Sequence, residues 1–302
     1  MHSCQEYRRD SYLAMGFDSG NNRVEAVYTY DSSLRRPGQL LRDMLKDISE
    51  SRELALRLFL RNITSKYRQT VFGYVWAFLP PIFTTMVFVF LNSQKIIDVR
   101  DTDIPYPAYV LIGTLLWQGF VDALNSPLRA MNESKSFLVK INFPREALVL
   151  AGVGEVLFNF TIRLVLFFAV FLWYRLSLPL SILLAPVGIL ALITLGLMFG
   201  LLVAPLGILY QDLEKALPLV TTVWLLLTPV VYPPLTNWPA SLLSSLNPVS
   251  PLLVTTREMI TQGSFSQMTG FVVVGSTTCV LLFLVWILYR LALPHLIERM
   301  GA

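Results

Sequence analysis

Long apolar stretches recur along this chain. They run over Val71–Leu91, Tyr106–Leu124, Ala147–Trp173, Leu180–Ala204, Leu217–Tyr232 and Gly270–Leu291. A helix needs about 20 apolar residues to cross the ~30 Å hydrocarbon core of a bilayer, so the pattern predicts six membrane-spanning helices. The fifth stretch is short. It is followed by Pro233, Pro234, Trp238 and Pro239, then by the apolar run Leu242, Leu243 and Leu246. That run is too short to span and predicts a re-entrant hairpin between spans five and six, which protein or a watery cavity must cover. Upstream the period changes. Leu56, Phe59, Leu60, Ile63 and Tyr67 fall on one helical stripe, while Arg52, Arg57, Arg61, Lys66 and Arg68 supply charge. Asp47 and Glu50 have the spacing of a capping box. A basic amphipathic helix over 48–68, lying on the inner membrane surface, is expected. The fold class is all-α integral membrane protein, with a cytosolic tail over 1–47, the interface helix over 48–68, a six-helix transmembrane domain over 71–291 and a cytosolic tail over 292–302.

Composition strengthens this reading. Of 302 residues, 54% are hydrophobic and only 15% charged, where an ordinary soluble domain carries about 25% charged residues. The charges crowd into the first 72 positions, leaving a sequence that water would not tolerate as a soluble surface. A disordered tail, a disulfide-stapled domain (Cys4 and Cys279 are the two cysteines) and a nucleic-acid binder are all excluded. Lys and Arg concentrate in the segments that face inward if the N-terminus is cytosolic. Lys95, Arg100, Arg175 and Arg257 fall on the exterior segments. That asymmetry predicts two cytosolic termini. The first 40 residues lack the apolar core of a signal peptide, and none is expected.

The sequence carries no familiar catalytic signature. It has no Gly-Lys dipeptide and therefore no G-x-x-x-x-G-K-[ST] phosphate loop. His2 and His295 cannot form an H-E-x-x-H zinc site, and no G-x-S-x-G elbow is present. The expectation is no enzyme, no metal and no cofactor in this chain, so any uphill work draws on a partner or an ion gradient. Ionisable residues inside spans are the functional suspects. Glu155, Asn159 and Arg163 recur at four-residue spacing on the third span, and Asp122 lies on the second. A buried Glu155–Arg163 ion pair with Asn159 between them is favoured over a proton relay, with Asp122 as the other possible partner. Gly196, Gly200 and Ala204 form a small-residue ridge suited to close helix packing. Among many aromatics, Trp76, Phe83, Trp117, Trp224 and Tyr232 are candidates to line a path, since aromatic faces stack on sugar rings at wet-apolar boundaries.

Several runs then fall into a familiar order. Arg61-Asn62-Ile63-Thr64-Ser65-Lys66-Tyr67-Arg68-Gln69-Thr70 continues through Gly73, Trp76 and Ala77 to Pro80. Ile104-Pro105-Tyr106-Pro107, Asn142-Phe143-Pro144-Arg145, Thr228-Pro229-Val230-Val231-Tyr232-Pro233 and Leu246-Asn247-Pro248 come after it. Over residues 50–290 this series resembles the permeases of ATP-binding-cassette polysaccharide and polyol-phosphate exporters. Two departures stand out: Asn62 occupies a position where Asp is common, and Gln211-Asp212 replaces the usual Arg-Asp.

The resemblance implies an inner-membrane homodimer with a substrate path between subunits. It also implies two copies of a soluble ABC ATPase beneath, which bind the ATP and Mg. The cargo would be a lipid-linked glycan such as O-antigen, capsule or teichoic acid. A coupling loop near 132–145, carrying Lys135, Phe137, Lys140, Phe143 and Arg145, would dock on the ATPase, and the hairpin would close the outer mouth. Arg57, Arg61 and Arg68 on the amphipathic helix are candidate contacts for a diphosphate headgroup, with Arg61 or Arg68 foremost. A permease for a small drug or lipid is the alternative. A membrane-embedded glycosyl- or acyltransferase would need a carboxylate or histidine cluster that the sequence lacks.

Overall fold

The computed structural model describes residues 37–68, 73–97, 99, 102–134, 146–210, 212–234 and 244–301. Their regular structure is helical throughout: α1 (Pro37–Arg68), a 3-10 turn (Gly73–Ala77), α2 (Leu79–Ser93), α3 (Tyr106–Glu133), α4 (Glu146–Tyr174), a second 3-10 turn (Leu180–Leu184), α5 (Ala185–Leu209), α6 (Asp212–Leu227), α7 (Val249–Thr261) and α8 (Met268–Gly301). Among the described residues, those up to 50 and those from 51 onward fall in separate compact units. In the first, Lys46 and Glu50 pair at 3.6 Å along the helix.

Helix α1 begins at Pro37, well before the expected start at 48. Asp47 and Glu50 are therefore interior helical residues and cap nothing. Proline is at home near a helix start because its missing N–H would have no helical acceptor there, and Pro37-Gly38 is the stronger start signal. In the second unit the expected apolar stripe divides. Phe59 turns inward, its ring edge-on to Phe158 of α4 at 6.2 Å, while Leu56 and Leu60 stay more than half exposed.

Among the described residues, four segments are long and apolar enough to cross a membrane: Tyr106–Glu133, Glu146–Tyr174, Leu180–Leu209 and Met268–Ala292. The first and fifth expected spans are shorter. Gly73 adopts a φ of +50°, and Pro80 and Pro81 start a new helix, so α2 has 15 residues. Helix α6 has 16 and stops before Pro229, which cannot continue it. The hairpin tip at 235–243 lies outside the described residues. Helix α7, which the hydrophobic pattern did not reveal, is buried along nearly its whole length.

Helix α3 is the centre of the bundle. Its most apolar window is 78% buried against 17% for α8, whose outer face is left for lipid or another chain. The Gly196–Gly200–Ala204 ridge does what its spacing predicts. A Cβ on Gly196 would meet the Phe120 carbonyl, and one on Gly200 the Leu124 carbonyl, so α5 lies against the backbone of α3. Leu115, Leu116, Phe120, Leu192, Leu195, Leu252 and Leu253 form part of the core between α3, α5 and α7.

Candidate functional site

A polar seam runs between α1, α3 and α4. It begins where Arg163 of α4 donates from Nη1 to Asp122 Oδ2 at 2.6 Å and from Nε to the Ala77 carbonyl at 3.2 Å. The Arg163 and Asp122 side chains are 8% and 20% exposed. Asp122, not Glu155, is thus the ion-pair partner of Arg163. The eight-residue separation of Glu155 and Arg163, two four-residue steps through Asn159, puts them on one face of α4, but α3 brings a carboxylate directly opposite the guanidinium.

Glu155 is instead satisfied across the helix boundary. Asn62 of α1 donates Nδ2 to Glu155 Oε1 at 2.7 Å. Its Oδ1 accepts from Arg61 Nε and Nη2 at 3.2 and 3.0 Å. One amide therefore joins Glu155 to Arg61, and its orientation is fixed because donor and acceptor ends face opposite demands. Beside this joint a Cβ on Gly154 would sit 2.9 Å from the Phe59 ring, so glycine lets α1 approach α4 closely. Asp122, Ser126, Arg129, Glu133, Glu155 and Asn159 line a small cleft along the seam. Asn159 is buried as expected, whereas Asp122 and Glu155 are half-buried. Desolvation, then the positive charge of Arg129, lowers the Lys66 ammonium below its ordinary pKa; Asp122 and Glu155 oppose that shift.

A second constellation lies where α6 ends and α7 begins. Asn247 Nδ2 donates to Thr228 Oγ1 at 2.8 Å, and Asn247 Oδ1 accepts from the Trp224 indole and the Val249 amide, both at 3.1 Å. The Thr228-Pro229-Val230-Val231 run and the Leu246-Asn247-Pro248 run are thus partners in space. Arg257 of α7 donates Nη1 to the carbonyls of Pro229 and Val230 at 3.2 and 3.1 Å. Its guanidinium carbon lies 3.7 Å from the centre of the Tyr109 ring. Tyr109 in turn donates its hydroxyl to the Tyr232 carbonyl at 3.1 Å. Gly113 leaves the space the turn occupies, since a Cβ there would collide with the Val230 carbonyl. Arg257, counted with the exterior charges in the sequence, is 4% exposed and buried in protein. The available signal was Arg257 itself, coming just after the apolar run Pro251–Val254.

The other sequence candidates scatter. Trp76 and Phe83 are more than half exposed. Trp117 is 2% exposed and packs on Phe120 and Trp224 at 5.2 and 6.2 Å, within the core. Trp224 is half-buried among Trp117, Phe120 and Phe199. Tyr232 is half-buried, its hydroxyl donating to the Leu226 carbonyl at 2.7 Å. Arg57 pairs with Glu53 at 2.5 Å, and Arg68, the last residue of α1, is exposed. Lys135, Phe137, Lys140, Phe143 and Arg145 lie outside the described residues.

A basic helix laid against long apolar helices, with charged groups paired inside them, fits a multi-pass membrane protein. The chain belongs to the ABC-2 type transporter family, whose description matches residues 53–261. It is 27% identical over 214 residues to the O-antigen export system permease protein RfbA of Myxococcus xanthus, covering 70% of this chain and 81% of that one. It is 23% identical over 227 residues to the protein of the same name from Klebsiella pneumoniae, covering 70% and 84%. The family makes the chain a transport permease and not an enzyme, and it implies an ABC ATPase as partner in the working transporter.

Proposed function

We propose that this chain is the transmembrane subunit of an exporter that carries a lipid-linked polysaccharide or polyol-phosphate polymer across the inner membrane. The observation that carries the reading is the match of most of the chain to O-antigen export permeases. Helix α1 supports it: its exposed Arg61 is oriented by Asn62, and Leu56 and Leu60 face away from the protein. That arrangement suits a helix at headgroup depth, where arginine can grip a diphosphate with two parallel hydrogen bonds. Two copies of the chain enclose the path, and two copies of a separate soluble ATPase bind ATP and Mg. Both termini are cytosolic. In this reading α2 with its preceding 3-10 turn, and α6 with the buried turn after it, complete six crossings.

Deleting the gene in its host tests the proposal. The expected result is loss of surface polymer with accumulation of its lipid-linked form on the cytosolic leaflet. Normal surface polymer in the deletion strain, with loss of resistance to a small toxic compound, would favour a drug permease instead.

A further inference from the structure

The cleft along the seam holds hydrogen-bonding groups that the Asp122–Arg163 ion pair leaves unused. It encloses about 20 Å3, room for one water-sized group. Ser126, 8% exposed, lines it, and its Oγ makes no hydrogen bond among the described residues. Asp122 gives Oδ2 to Arg163 and Glu155 gives Oε1 to Asn62, so each carboxylate keeps a second oxygen for another donor. Glu155 moreover takes its hydrogen bond from a neutral amide. The space itself depends on Gly152, because a Cβ there would meet Ser126 Oγ.

All three of these groups accept, and two are carboxylates. A primary ammonium meets that demand: it is water-sized, positively charged, and has three N–H donors and no acceptor. A water brings two donors and no charge. A metal ion is disfavoured, since among the described residues no three His, Cys, Asp or Glu side chains are placed to hold one. The mouth of the cleft is more basic. Exposed Arg129 lines it, with Glu133 a further turn along α3, and Lys66 of α1 lies close enough to feel the Arg129 charge. An anion between the two cations offsets their repulsion, and a phosphate accepts hydrogen bonds from both. Arg129 is three residues from Ser126, about 4.5 Å along the helix axis.

We propose that the cleft binds the phosphoethanolamine headgroup of a membrane lipid, its ammonium against Asp122, Glu155 and Ser126 and its phosphate against Arg129 and Lys66. Two carbons separate the charges of that headgroup, which suits the short step from Ser126 to Arg129. A lipid is the favoured source because α1 also exposes Leu56 and Leu60, apolar residues that suit a helix at the bilayer surface. The proposal takes from the transport reading the placement of α1 at headgroup depth, and neither the cargo nor the ATPase.

Native mass spectrometry of the full-length protein in detergent measures lipid affinity directly. The probes are dioleoyl phosphatidylethanolamine, its N-methyl and N,N-dimethyl derivatives, phosphatidylcholine and phosphatidylglycerol. Phosphatidylethanolamine should bind at least about tenfold tighter than phosphatidylcholine, whose methyl groups neither fit the cavity nor donate, with the methylated lipids between them in order. Phosphatidylglycerol, which has the phosphate but no ammonium, should bind about as weakly as phosphatidylcholine. Ser126→Ala with Gly152→Ala fills the cavity without a clash, since the nearest remaining atoms lie 3.6 and 3.7 Å from the new Cβ. That variant should keep the parental melting temperature in lipid-free detergent and lose the preference. Equal affinity across the methylation series, tighter binding of phosphatidylglycerol, or a preference that survives in the folded double variant overturns the proposal. The series on the unaltered protein decides the matter even where the double variant fails to fold. Soluble phosphoethanolamine that displaces the lipid at equal concentration would overturn the lipid source and leave a free headgroup as the ligand. Normal surface polymer in the deletion strain would remove the transport reading and leave this proposal to stand or fall on the methylation series alone.

Discussion

Replacing Arg163 with leucine removes the cation from the seam between α3 and α4. Asp122 is then left without its cation in a site where it is one-fifth exposed, and the Ala77 carbonyl loses a donor. Opposite unit charges about 4 Å apart attract by roughly 4 kcal/mol at an effective dielectric near 20. Breaking a buried pair from one side costs about 3–5 kcal/mol, because the surviving charge is left unpaired. The partial exposure of Asp122 places the expectation at the lower end, about 3 kcal/mol, which for a domain of this size lowers the melting temperature by on the order of 10 °C. Thermal unfolding of the purified protein in a fixed detergent or nanodisc measures this. The second substitution identifies the partner: Asp122→Asn added to Arg163→Leu should recover more than half of the loss, since it removes the stranded charge. Glu155→Gln added to Arg163→Leu should recover nothing, because Glu155 draws its hydrogen bond from Asn62. Rescue by Glu155→Gln and none by Asp122→Asn would refute the assignment.

Other substitutions probe the remaining joints. Asn62→Asp replaces the amide donor to Glu155 with a second carboxylate, so the variant should be less stable than the parent at neutral pH by about 1–3 kcal/mol, measured by thermal unfolding. A parental melting temperature in that variant would contradict the Asn62–Glu155 contact. Arg257→Gln should destabilise by at least about 2 kcal/mol, because it gives up two buried carbonyl contacts and the Tyr109 ring face, and Arg257→Lys should recover only part of that. Parental melting of the Gln variant would show that the turn after α6 does not depend on Arg257. The double substitution Arg61→Lys with Arg68→Lys should leave membrane insertion intact and lower polymer export, since lysine keeps charge but not the two-pronged grip. Unchanged export would leave α1 as an anchor only.

Where one helix decides an outcome alone, the sequence is readable. The Gly196–Gly200–Ala204 ridge predicts close packing because small side chains at four-residue spacing form one groove whatever lies opposite, and α3 fills it. The apolar length of the second, third, fourth and sixth expected spans likewise carries over into helices. Partners between helices are harder. Spacing along α4 says that Glu155 and Arg163 share a face, yet only the placement of α3 and α1 determines that Asp122 meets one and Asn62 the other. Helix α7 is hard to read because its short apolar run is broken by Ser250, Pro251, Thr255, Thr256 and Arg257; in the fold Thr256 donates to the Leu252 carbonyl and Arg257 to the carbonyls of Pro229 and Val230, partners that only the folded backbone supplies. Trp117 and Phe83 have the same chemistry in the sequence, and burial alone separates a core residue from an exposed one.

On the proposed reading, this permease moves a lipid-linked polymer only when an ATPase drives it. The most direct measurement reconstitutes the chain in vesicles with and without the soluble ABC ATPase from its host and tracks radiolabelled polyprenyl-diphosphate-linked O-polysaccharide after ATP is added. Movement that requires both the ATPase and hydrolysable ATP is the predicted result. Contradiction would come as polymer left in its original leaflet by a folded complex that hydrolyses ATP, or as equal movement without the ATPase.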